Sequence, residues 1–564
     1  MTRTAPLPSS LPHLVGALLC SVSLGLSSSA WAQPAVTPAS LQADVDAIFS
    51  GYTSQTPGCA VGVSVDGAMA LQRGYGMADL EHDVPITPET IFEAGSVSKQ
   101  FTAAAVLLLE ADGRLRLDEP ITKYIPEVPT TTPPVTIRQM LQHTSGLRDW
   151  GSLAGISGWP RTTRVHTHAH VLDSVSRQAA TNFTPGTHWS YSNTGYNLAA
   201  VLVARVSGLS FAEFTRQRLF VPLGLRHTSW RDDHRAIVKG RALAYEDTGN
   251  GFLTEMPFES VHGNGGLLTT VSDLLAWTSY LHRPSRQTDA AWIGQMQIPI
   301  SFSGTAGRGY GLGLMIDTRR GVRQVDHSGS TAGYLAHLAG YPDQRIAVAV
   351  LCNVTSGQAT QRAYRTADVY LARAITLQDP VGATATLSRA ERNALAGLYR
   401  SRLDGRPLRL LDDGEALRMA GGARLLPQSA RTFASAGGQQ LQFIGGDTVR
   451  VSDRYDEVTY DRTTEATPSM AELQALVGTY RSAEVETSLR LTLDGGQLIV
   501  RRGVDTRVPL TPLYRDAFDA ASLGTLLVQR AVDGTVTGIS VVQDRVWHLP
   551  FTRETAASRP RPEP

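Results

Sequence analysis

The chain contains 564 residues, of which 42% are hydrophobic and 18% are charged, and its formal net charge is +1. A single hydrophobic core stops growing at about 250 to 300 residues, so this length predicts more than one domain. The nearly balanced charge excludes the broad basic field that nucleic-acid binding requires, and we expect no nucleic-acid partner.

The N-terminus has the pattern of a secretory signal peptide. Arg3 gives a positive start, the stretch from Leu14 to Leu26 is apolar but too short to span a bilayer, and Ala30-Trp31-Ala32 matches a cleavage site. We therefore expect removal of residues 1–32 and a periplasmic or secreted protein, with an uncleaved anchor as the alternative. No later stretch reaches the roughly 18 apolar residues of a membrane helix, so no membrane span is expected after cleavage.

Two cysteines, Cys59 and Cys352, remain after this cleavage. In an oxidising compartment they can pair, or they can stay as small buried thiols, and composition alone leaves both options open. Two cysteines cannot make a zinc site, and no C-x-x-C pattern supports redox chemistry.

The next segments alternate between strand and helix patterns. Residues 59–76 predict two strands joined by an Asp66-Gly67 turn, because glycine accepts the positive φ of a tight hairpin. Residues 101–110 are apolar on every side and predict a buried helix that ends near Gly113. Residues 345–354 (RIAVAVLCNV) are typical of a strand covered on both faces.

The last third of the chain is internally duplicated. The segment ALAGLYRS at 394–401 recurs as ALVGTYRS at 475–482. A proline followed six residues later by phenylalanine also occurs twice, at positions 427 and 433 and at positions 512 and 518. Short alternating segments separated by Asp-Gly and Gly-Gly turns make each copy an antiparallel β unit.

These repeats predict the domain boundaries. We expect a first β-barrel or half-barrel over 386–463 and a second over 470–555. The polar segment 463–469 is the expected link between them, and residues 377–388 (LQDPVGATATLS) link the first one to the preceding domain.

Ser96 and Lys99 stand at the head of the buried helix. Residues three apart on a helix lie on one face about 5 to 6 Å apart, so the lysine amine can reach the serine hydroxyl. A serine needs a nearby base to act as a nucleophile, and burial lowers the pKa of a lysine. The S-x-x-K pattern alone is weak, because a helix cap with a snorkelling lysine gives the same letters.

Two later stretches strengthen the pattern. In PGTHWSYSNTGYN, Tyr191 and Asn193 flank one residue in an extended loop, so both side chains point the same way. In VDHSGSTAGY, His327 stands two residues before Gly329 on an expected strand. The order S-x-x-K, then Y-x-N, then a basic or histidine residue two before glycine resembles the serine β-lactamase and penicillin-binding family.

The resemblance covers about residues 40 to 375, and further segments at 143–150, 263–277 and 310–314 support it. The chain is most similar to the class C β-lactamase and D-aminopeptidase branch. This implies an α/β sandwich, in which helices flank an antiparallel sheet beside an all-α lobe, over residues 38–376. It also implies two small antiparallel β-barrel domains after the hydrolase domain, as in bacterial D-aminopeptidase.

The resemblance also implies roles for the site residues. Ser96 is the acyl-forming nucleophile, Lys99 prepares its deprotonation, and Tyr191 is the partner base and later the proton donor to the leaving group. Asn193 holds the substrate amide. The backbone N–H groups of Ser96 and Ser330 form the oxyanion hole.

Two further positions complete the implied binding site. Gly329 is expected to leave room for substrate along the strand. His327 departs from the family pattern, since β-lactamases and carboxypeptidases usually carry lysine there. Lysine is a permanent cation suited to a substrate carboxylate, whereas histidine is mostly neutral at pH 7. This departure favours amides with a free amine, or esters, over β-lactams, although a core histidine bonded to backbone is the alternative.

The expected protein is therefore a secreted serine hydrolase that cleaves peptide-like amides, plausibly of D-amino acids, through an acyl-enzyme and without a cofactor or metal. A carboxylesterase or β-lactamase-type hydrolase is the alternative on the same machinery. From another class, a penicillin- or peptide-binding sensor would acylate without turnover. The partner is a small-molecule or peptide substrate, and the oligomeric state stays open, with a homodimer as one option.

The remaining candidates receive simpler interpretations. The alternating histidines His166, His168 and His170 are read as a solvated surface segment rather than a metal-binding strand face. The resemblance implies that a loop of the last domain reaches the catalytic mouth, and Asp516 and Asp519 are candidates to bind a substrate ammonium there.

Two expectations concern the walls of the cleft and the sheet. His143 and Ser145 are expected to shape the cleft wall. In the fold that the sequence resembles, the first and last strands of the sheet are antiparallel neighbours, so a disulfide between Cys59 and Cys352 is implied as an option, with a Cα separation below about 7 Å as its geometric condition.

Overall fold

The structure is a computed structural model that describes residues 39–554, except 163, 283–290, 377–381, 423, 436 and 504–505. The predicted signal peptide lies outside the described residues. So does the first part of the predicted link that begins at residue 377.

The described residues from 39 to 371 form a seven-stranded main sheet and three small sheets, surrounded by helices. Its helices are α1 (Ala39–Phe49), α2 (Ser98–Ala111), α3 (Ile137–Leu141), α4 (Trp150–Ser157), α5 (His168–Ser176), α6 (Asn193–Ser207), α7 (Phe211–Thr215), α8 (Val221–Leu223), α9 (Val271–Leu281), α10 (Ala291–Met296) and α11 (Ala359–Leu371). Its strands are β1 (Cys59–Val65), β2 (Ala68–Tyr75), β3 (Met77–Asp79), β4 (Val84–Pro85), β5 (Phe92–Glu93), β6 (Ser229–Trp230), β7 (Tyr245–Asp247), β8 (Phe252–Thr254), β9 (Leu267–Thr269), β10 (Gly309–Tyr310), β11 (Met315–Arg319), β12 (Val322–Thr331), β13 (Tyr334–Tyr341) and β14 (Ile346–Cys352).

The main sheet has seven antiparallel strands in the order β10-β11-β12-β13-β14-β1-β2. All seven residues of β14 are buried, because α1 and α11 pack on one face of the sheet while α9 packs on the other. This confirms the prediction of a strand covered on both faces. Burial on both sides explains why its sequence lacks the alternation of a half-exposed strand.

The hairpin and the cysteines of this sheet follow the sequence closely. Asp66 and Gly67 both have positive φ, at 53° and 79°, and form the predicted tight turn between β1 and β2. Cys59 begins β1 and pairs in register with Cys352 at the end of β14. The two residues form a disulfide, and their Cα atoms are 4.0 Å apart.

The helical lobe is built around α2. Its apolar residues from Phe101 to Leu107 are buried, and the helix packs against α6 and α10. A 3₁₀ turn over Gly95–Val97 leads into α2, so the nucleophile candidate and the lysine candidate are placed by one rigid element. Among the described residues no single helix is long and apolar enough to cross a membrane; α6 reaches that length only with the segment Phe211–Leu223, which is bent away by 79°.

Two β structures follow, each preceded by a short helix, α12 (Arg389–Leu395) and α13 (Met470–Ala475). The first is a closed barrel of β15 (Gly397–Ser401), β16 (Pro407–Asp412), β17 (Leu417–Met419), β18 (Arg424–Pro427), β19 (Thr432–Ser435), β20 (Gln440–Phe443), β21 (Thr448–Ser452) and β22 (Glu457–Thr463). The second is a nine-stranded sheet of β23 (Gly478–Ser482), β24 (Thr487–Asp494), β25 (Gln497–Arg502), β26 (Thr506–Pro509), β27 (Thr511–Pro512), β28 (Ala517–Asp519), β29 (Thr525–Arg530), β30 (Val536–Val542) and β31 (Leu549–Arg553). The predicted fold class, a sandwich followed by two antiparallel barrel-like units, is confirmed.

Equivalent contacts in the two units reflect the sequence duplication. The hydroxyl of the buried Tyr399 donates a hydrogen bond of 2.8 Å to the Leu395 carbonyl. In the second unit, the hydroxyl of the buried Tyr480 donates a hydrogen bond of 2.7 Å to the Leu476 carbonyl. The repeated proline and phenylalanine face each other across neighbouring strands in both copies. The repeat therefore encodes one local structure that is used twice.

Both β units are fastened to the hydrolase domain. Arg148 forms a buried ion pair of 2.5 Å with Glu484, in the loop between β23 and β24. Leu153 and Ile156 of α4 belong to the hydrophobic core of the second unit. These contacts fix the second unit against the segment that precedes the candidate site.

The first unit touches the other wall of the same region. The ring of Tyr455 stacks on Trp189 with centroids 4.1 Å apart, and Asp456 accepts a hydrogen bond from the backbone N–H of Trp189 at 3.0 Å. The loop that carries Trp189 also carries Tyr191, so the barrel supports a candidate site residue from behind.

Candidate active site

A cavity of about 660 Å³ opens where α2, α6 and β12 meet. Six of the seven residues predicted for the site line it, and the seventh, Lys99, lies fully buried beneath its floor. The six lining residues are Ser96, Tyr191, Asn193, His327, Gly329 and Ser330. Segments separated by more than 200 residues in the chain thus converge on one space.

Ser96 and Lys99 are in direct contact at the start of α2. The Ser96 hydroxyl lies in the 3₁₀ turn over Gly95–Val97, and the Lys99 amine is 3.1 Å from its oxygen. Ser98, between them, donates its hydroxyl to the Gly95 carbonyl at 2.6 Å and accepts the Leu267 N–H at 3.1 Å. The turn is therefore held from both sides, which fixes the serine relative to the amine.

The Lys99 amine has three oxygen neighbours. Besides Ser96, it contacts the Asn193 Oδ1 at 2.9 Å and the Asn264 carbonyl at 2.7 Å. Burial lowers the pKa of Lys99 well below its usual range, and the Arg545 cation adds to this, while the Asp149 carboxylate opposes it. A neutral amine carries two N–H bonds and one lone pair. When the Lys99 amine is neutral and the two asparagine oxygens accept its N–H bonds, the lone pair is left for the Ser96 hydroxyl.

Tyr191 stands on the other side of this amine. The Lys99 Nζ is 4.8 Å from the centroid of its ring. Burial raises the pKa of the Tyr191 phenol, and its hydrogen bond with Ser96 opposes that change only in part. The phenol therefore keeps its proton near neutral pH and can donate it, whereas the amine is the stronger candidate for the base.

Asparagines and one aspartate hold this arrangement in place. Asn193 is the first residue of α6, and its backbone N–H donates to the Asp149 Oδ2 at 2.7 Å. Asn264 accepts, at its Oδ1, a hydrogen bond of 2.7 Å from the Asn197 side chain. Sequence reasoning did not name Asp149, Asn197 or Asn264 as site residues, although the first and last of these lie in segments that supported the family resemblance.

Gly95 and Gly329 bring the two predicted oxyanion donors together. A Cβ at Gly329 would lie 2.0 Å from the Ala94 carbonyl oxygen, and one at Gly95 would lie 2.5 Å from the Ser330 nitrogen. Gly95 also has a positive φ of 49°. The expected reason for Gly329 was room for substrate along the strand. The structure adds a second reason, because the missing side chain lets β12 approach the turn that carries Ser96.

His327 lines the cavity, but both of its ring nitrogens are occupied. Its Nδ1–H donates to the Ser328 carbonyl at 2.6 Å, and its Nε2 accepts the hydroxyl of Tyr310 at 3.0 Å. The side chain is only 1% exposed, and burial, together with Lys99 when it is protonated, lowers the pKa of His327 to about 3. The ring is therefore neutral at pH 7, and this position offers no cation to a substrate.

Buried neutral histidines predict that the protein loses stability in mild acid. Burial lowers the pKa of His262 to about 3, of His282 to about 4 and of His327 to about 3. In the unfolded chain a histidine titrates near 6.5, so between about pH 6.5 and 4 the unfolded state binds more protons. Stability is full above about pH 6.5, and we expect it to fall by about 4–6 kcal/mol by pH 5.

Denaturant melts at pH 5, 6 and 7 would measure this slope. Aspartate and glutamate carboxyls titrate mainly below pH 5, so they contribute little to the change in the free energy of unfolding between pH 7 and 5. Replacing His262, which packs beside Phe211 and Trp230, with phenylalanine should reduce the slope only in part, because burial also lowers the pKa of other histidines such as His143 and His168. A free energy of unfolding that does not change between pH 7 and 5 would contradict the prediction.

Three expectations about peripheral residues need correction. The histidines at 166–170 do not form a strand face or a solvated segment; His168 begins α5 and contacts the His262 carbonyl at 2.9 Å, and His166 is buried and contacts the Trp159 carbonyl at 3.1 Å. His170 accepts the Thr167 N–H at 3.0 Å in a cap of α5. A helix cap, rather than a metal site, explains this spacing.

A loop of the second β unit does reach the cavity, but it is not the predicted one. Asp516 instead pairs with Arg530 at 2.8 Å, and Asp519 accepts the Ala521 N–H at 3.2 Å within its own turn. Asp544 and Arg545, between β30 and β31, line the cavity. Sequence reasoning missed them, since nothing in the local pattern of this turn indicates that it faces another domain.

His143 and Ser145 lie behind the cavity lining. The His143 ring packs on Tyr191 with centroids 4.3 Å apart, and its Nδ1 accepts the Ser192 N–H at 3.1 Å. Ser145 accepts the Leu147 N–H at 3.2 Å and shapes the turn. His143 therefore supports the position of Tyr191, and neither residue is among those that line the cavity.

Comparisons with known proteins agree with this geometry. The profile of the family described as Beta-lactamase matches residues 45–371, more than half of the chain. The chain belongs to this family, and it is a serine hydrolase. It is 29% identical over 532 residues to a D-aminopeptidase of Brucella ovis, covering 93% of this chain and 96% of the relative. It is 28% identical to a D-aminopeptidase of Brucella anthropi, covering 88% of this chain and 95% of the relative.

Solved structures show the same fold. A penicillin-binding protein homologue from Pyrococcus abyssi has a TM-score of 0.53 at 22% identity and covers 83% of this chain and 98% of its own. The D-amino acid amidase from Ochrobactrum anthropi SV3, solved with L-phenylalanine amide, has a TM-score of 0.51 at 23% identity and covers 59% of this chain and 99% of its own. At these identities the likeness extends to the fold alone.

Proposed function

We propose that this protein is an exported D-aminopeptidase or D-amino acid amidase that works through an acyl-enzyme on Ser96. The observation that carries the proposal is the contact of 3.1 Å between the Ser96 hydroxyl and a buried amine whose pKa is lowered. The D-aminopeptidases that align with nearly the whole chain support the substrate class.

Acylation begins with the neutral Lys99 amine. Its lone pair takes the proton of the Ser96 hydroxyl as the serine oxygen forms a bond to the amide carbonyl carbon. The resulting oxyanion is stabilised by the backbone N–H groups of Ser96 and Ser330, which Gly95 and Gly329 allow to approach each other. Lys99 then carries the transferred proton as an ammonium, which is hydrogen-bonded by Asn193 and Asn264.

Collapse of this intermediate needs a proton on the leaving amine. The Tyr191 phenol, protonated because burial raises its pKa, donates that proton and is restored from Lys99, whose Nζ lies under its ring. The carbon–nitrogen bond breaks, the amine leaves, and Ser96 holds the acyl group as an ester. Water attack on this ester, with the same residues in the reverse proton path, completes the cycle.

The free ammonium of the substrate is proposed to meet Asp544. This carboxylate belongs to the cavity lining and has a side chain that is 84% exposed, with Arg406 at 3.0 Å as its partner. A neutral His327 agrees with an ammonium-bearing substrate, because this position of the cavity wall holds no cation that would repel it. Export is supported by the buried Cys59–Cys352 disulfide, since disulfides persist in oxidising compartments.

The test is a panel of substrates with the full-length mature chain. D- and L-alanine p-nitroanilide, a short-chain p-nitrophenyl ester and a chromogenic cephalosporin would be compared by kcat/KM. We expect the D-anilide to exceed the L-anilide by at least about tenfold, which corresponds to about 1.4 kcal/mol of differential transition-state binding. Faster cleavage of the ester alone would indicate a carboxylesterase, and one equivalent of product without turnover would indicate a sensor.

A further inference from the structure

One guanidinium in the catalytic cavity contacts an aromatic ring but has no hydrogen-bonded or ionic partner among the described residues. Arg545 is half-buried and lines the cavity, and its guanidinium carbon lies 4.8 Å from the centroid of the Tyr191 ring. Within residues 39–554 as described, its side chain makes no hydrogen bond and no ion pair with another residue. The neighbouring Arg161, by contrast, is paired with Glu259, its Nε lying 2.7 Å from the carboxylate.

The backbone of Arg545 is held firmly in this position. Its carbonyl accepts hydrogen bonds from the Asp149 N–H at 3.3 Å and from the Asn182 side-chain amide at 3.0 Å. Two residues on, the Trp547 N–H donates to the Asn182 Oδ1 at 2.8 Å, and its carbonyl accepts from Arg148 at 3.0 Å. The loop is thus fixed to the hydrolase domain, and an unpaired cation is presented to the cavity from a defined place.

The other positive groups of the cavity are not available to a ligand. His327 is neutral and saturated with hydrogen bonds, Lys99 is buried beneath the floor, and Arg161 is neutralised by Glu259. A planar guanidinium with five N–H donors is suited to a carboxylate, which it can bind through two parallel hydrogen bonds. Arg545 is therefore the cavity cation, within the described residues, that is left to bind an anion.

We propose that Arg545 binds the α-carboxylate of the leaving residue, so that the preferred substrate is a dipeptide with a free C-terminus. The guanidinium lies over Tyr191, the residue assigned to protonate the leaving amine, so it is on the leaving-group side of Ser96. This inference rests on the proposed function, because it names the second residue of the same amide substrate. The loop between β30 and β31 thus supplies the cation that His327 on β12 does not supply.

The opposite charges of the loop tip match such a substrate. Asp544 and Arg545 are adjacent and line the same cavity. A dipeptide is a zwitterion whose ammonium and carboxylate are separated by one peptide unit, whereas an amino acid amide lacks the carboxylate. Longer peptides place their carboxylate farther from the scissile bond. The charges of Asp544 and Arg545 therefore favour a dipeptide over an amino acid amide and over a longer peptide.

Binding can be measured without chemistry in a Ser96→Ala background. Isothermal titration calorimetry would compare D-alanyl-D-alanine with its C-terminal amide, which differs only in the missing carboxylate. We expect the dipeptide to bind about ten- to a hundredfold more tightly, the range of a hydrogen-bonded charged pair. In Ser96→Ala/Arg545→Met this preference should disappear, and in Ser96→Ala/Arg545→Lys part of it should remain.

Two controls separate this inference from the proposed function. In Ser96→Ala/Arg515→Met the preference should persist, because Arg515 is 93% exposed in the turn between β27 and β28 and is not among the residues that line the cavity. Equal binding of the dipeptide and its amide, or a preference that survives Arg545→Met, would overturn the assignment. Failure of the proposed function would look different, since the wild type would then turn over no D-amino acid amide at all.

Discussion

Replacing Ser96 with alanine should lower kcat for the amide substrate by about 10⁴-fold or more, because no other group forms the covalent bond. The substitution removes one hydroxyl that contacts the Lys99 amine and the Tyr191 phenol, and it leaves the packing of α2 unchanged, so the fold should be preserved. Steady-state kinetics and labelling by a fluorophosphonate, read by mass spectrometry, would measure both the loss of activity and the loss of the reactive serine.

Ser192→Ala is the matched control for this experiment. Ser192 lies between two cavity residues and is buried, but its hydroxyl has no hydrogen-bond partner in the described part of the chain. We expect this variant to keep both labelling and turnover. Full activity of Ser96→Ala would place the nucleophile elsewhere and would end the proposed mechanism.

Removing the Lys99 amine should lower kcat almost as much as removing the Ser96 hydroxyl. Lys99→Met is expected to lower kcat by about 10³-fold, within the range of general base catalysis and its non-additive coupling to the nucleophile. The loss arises because the lone pair that accepts the Ser96 proton is absent. The Asn193 and Asn264 oxygens lose their hydrogen-bond donor in this variant. Thermal melts would show whether this loss also lowers the stability of the protein.

Lys99→Arg distinguishes a base from a charge. Arginine keeps a positive charge but stays protonated at every accessible pH, so it has no lone pair to offer. If Lys99 acts as the base, the arginine variant should be as inactive as the methionine variant. A variant that kept much of its activity would show that the amine serves only as an electrostatic stabiliser.

The pH profile of the wild type follows from the same assignment. Burial lowers the pKa of Lys99, so kcat/KM should rise with pH as the ammonium loses its proton, over a range well below the usual titration range of lysine. His327 is neutral well below that range and should not contribute a limb near pH 6.5. An acid limb at 6.5 that disappears in His327→Gln would contradict the neutral, hydrogen-bonded ring.

Local patterns in the sequence were sufficient for several elements. The Asp66-Gly67 turn, the buried helix after Lys99 and the doubly covered β14 all follow from periodicity and from the conformational needs of glycine. The duplicated segment predicted two similar β units, and the paired Tyr399 and Tyr480 contacts agree with it. These features depend on interactions between residues close in sequence, and such interactions do not depend on the rest of the tertiary structure.

The protonation and the contacts of individual side chains could not be predicted from local sequence patterns. His327 is neutral because Tyr310 and a strand carbonyl surround it, and the letters of β12 do not contain that environment. Gly329 is required by the carbonyl of Ala94, which is more than 200 residues away in the chain. The histidines at 166–170 alternate like a strand, yet the cap of α5 and the buried contacts of its first turn decide their structure.

The sequence by itself predicted the candidate nucleophile Ser96, its lysine neighbour and two β units after the first domain, because S-x-x-K on a buried helix and an internal repeat depend on residues close together in the chain. Only the tertiary structure decided which loop of the second β unit enters the cavity. Asp544 and Arg545 reach it because Arg148 pairs with Glu484 and α4 packs into the second core. Contacts between domains depend on the summed packing of surfaces hundreds of residues apart, and no spacing within one segment encodes them.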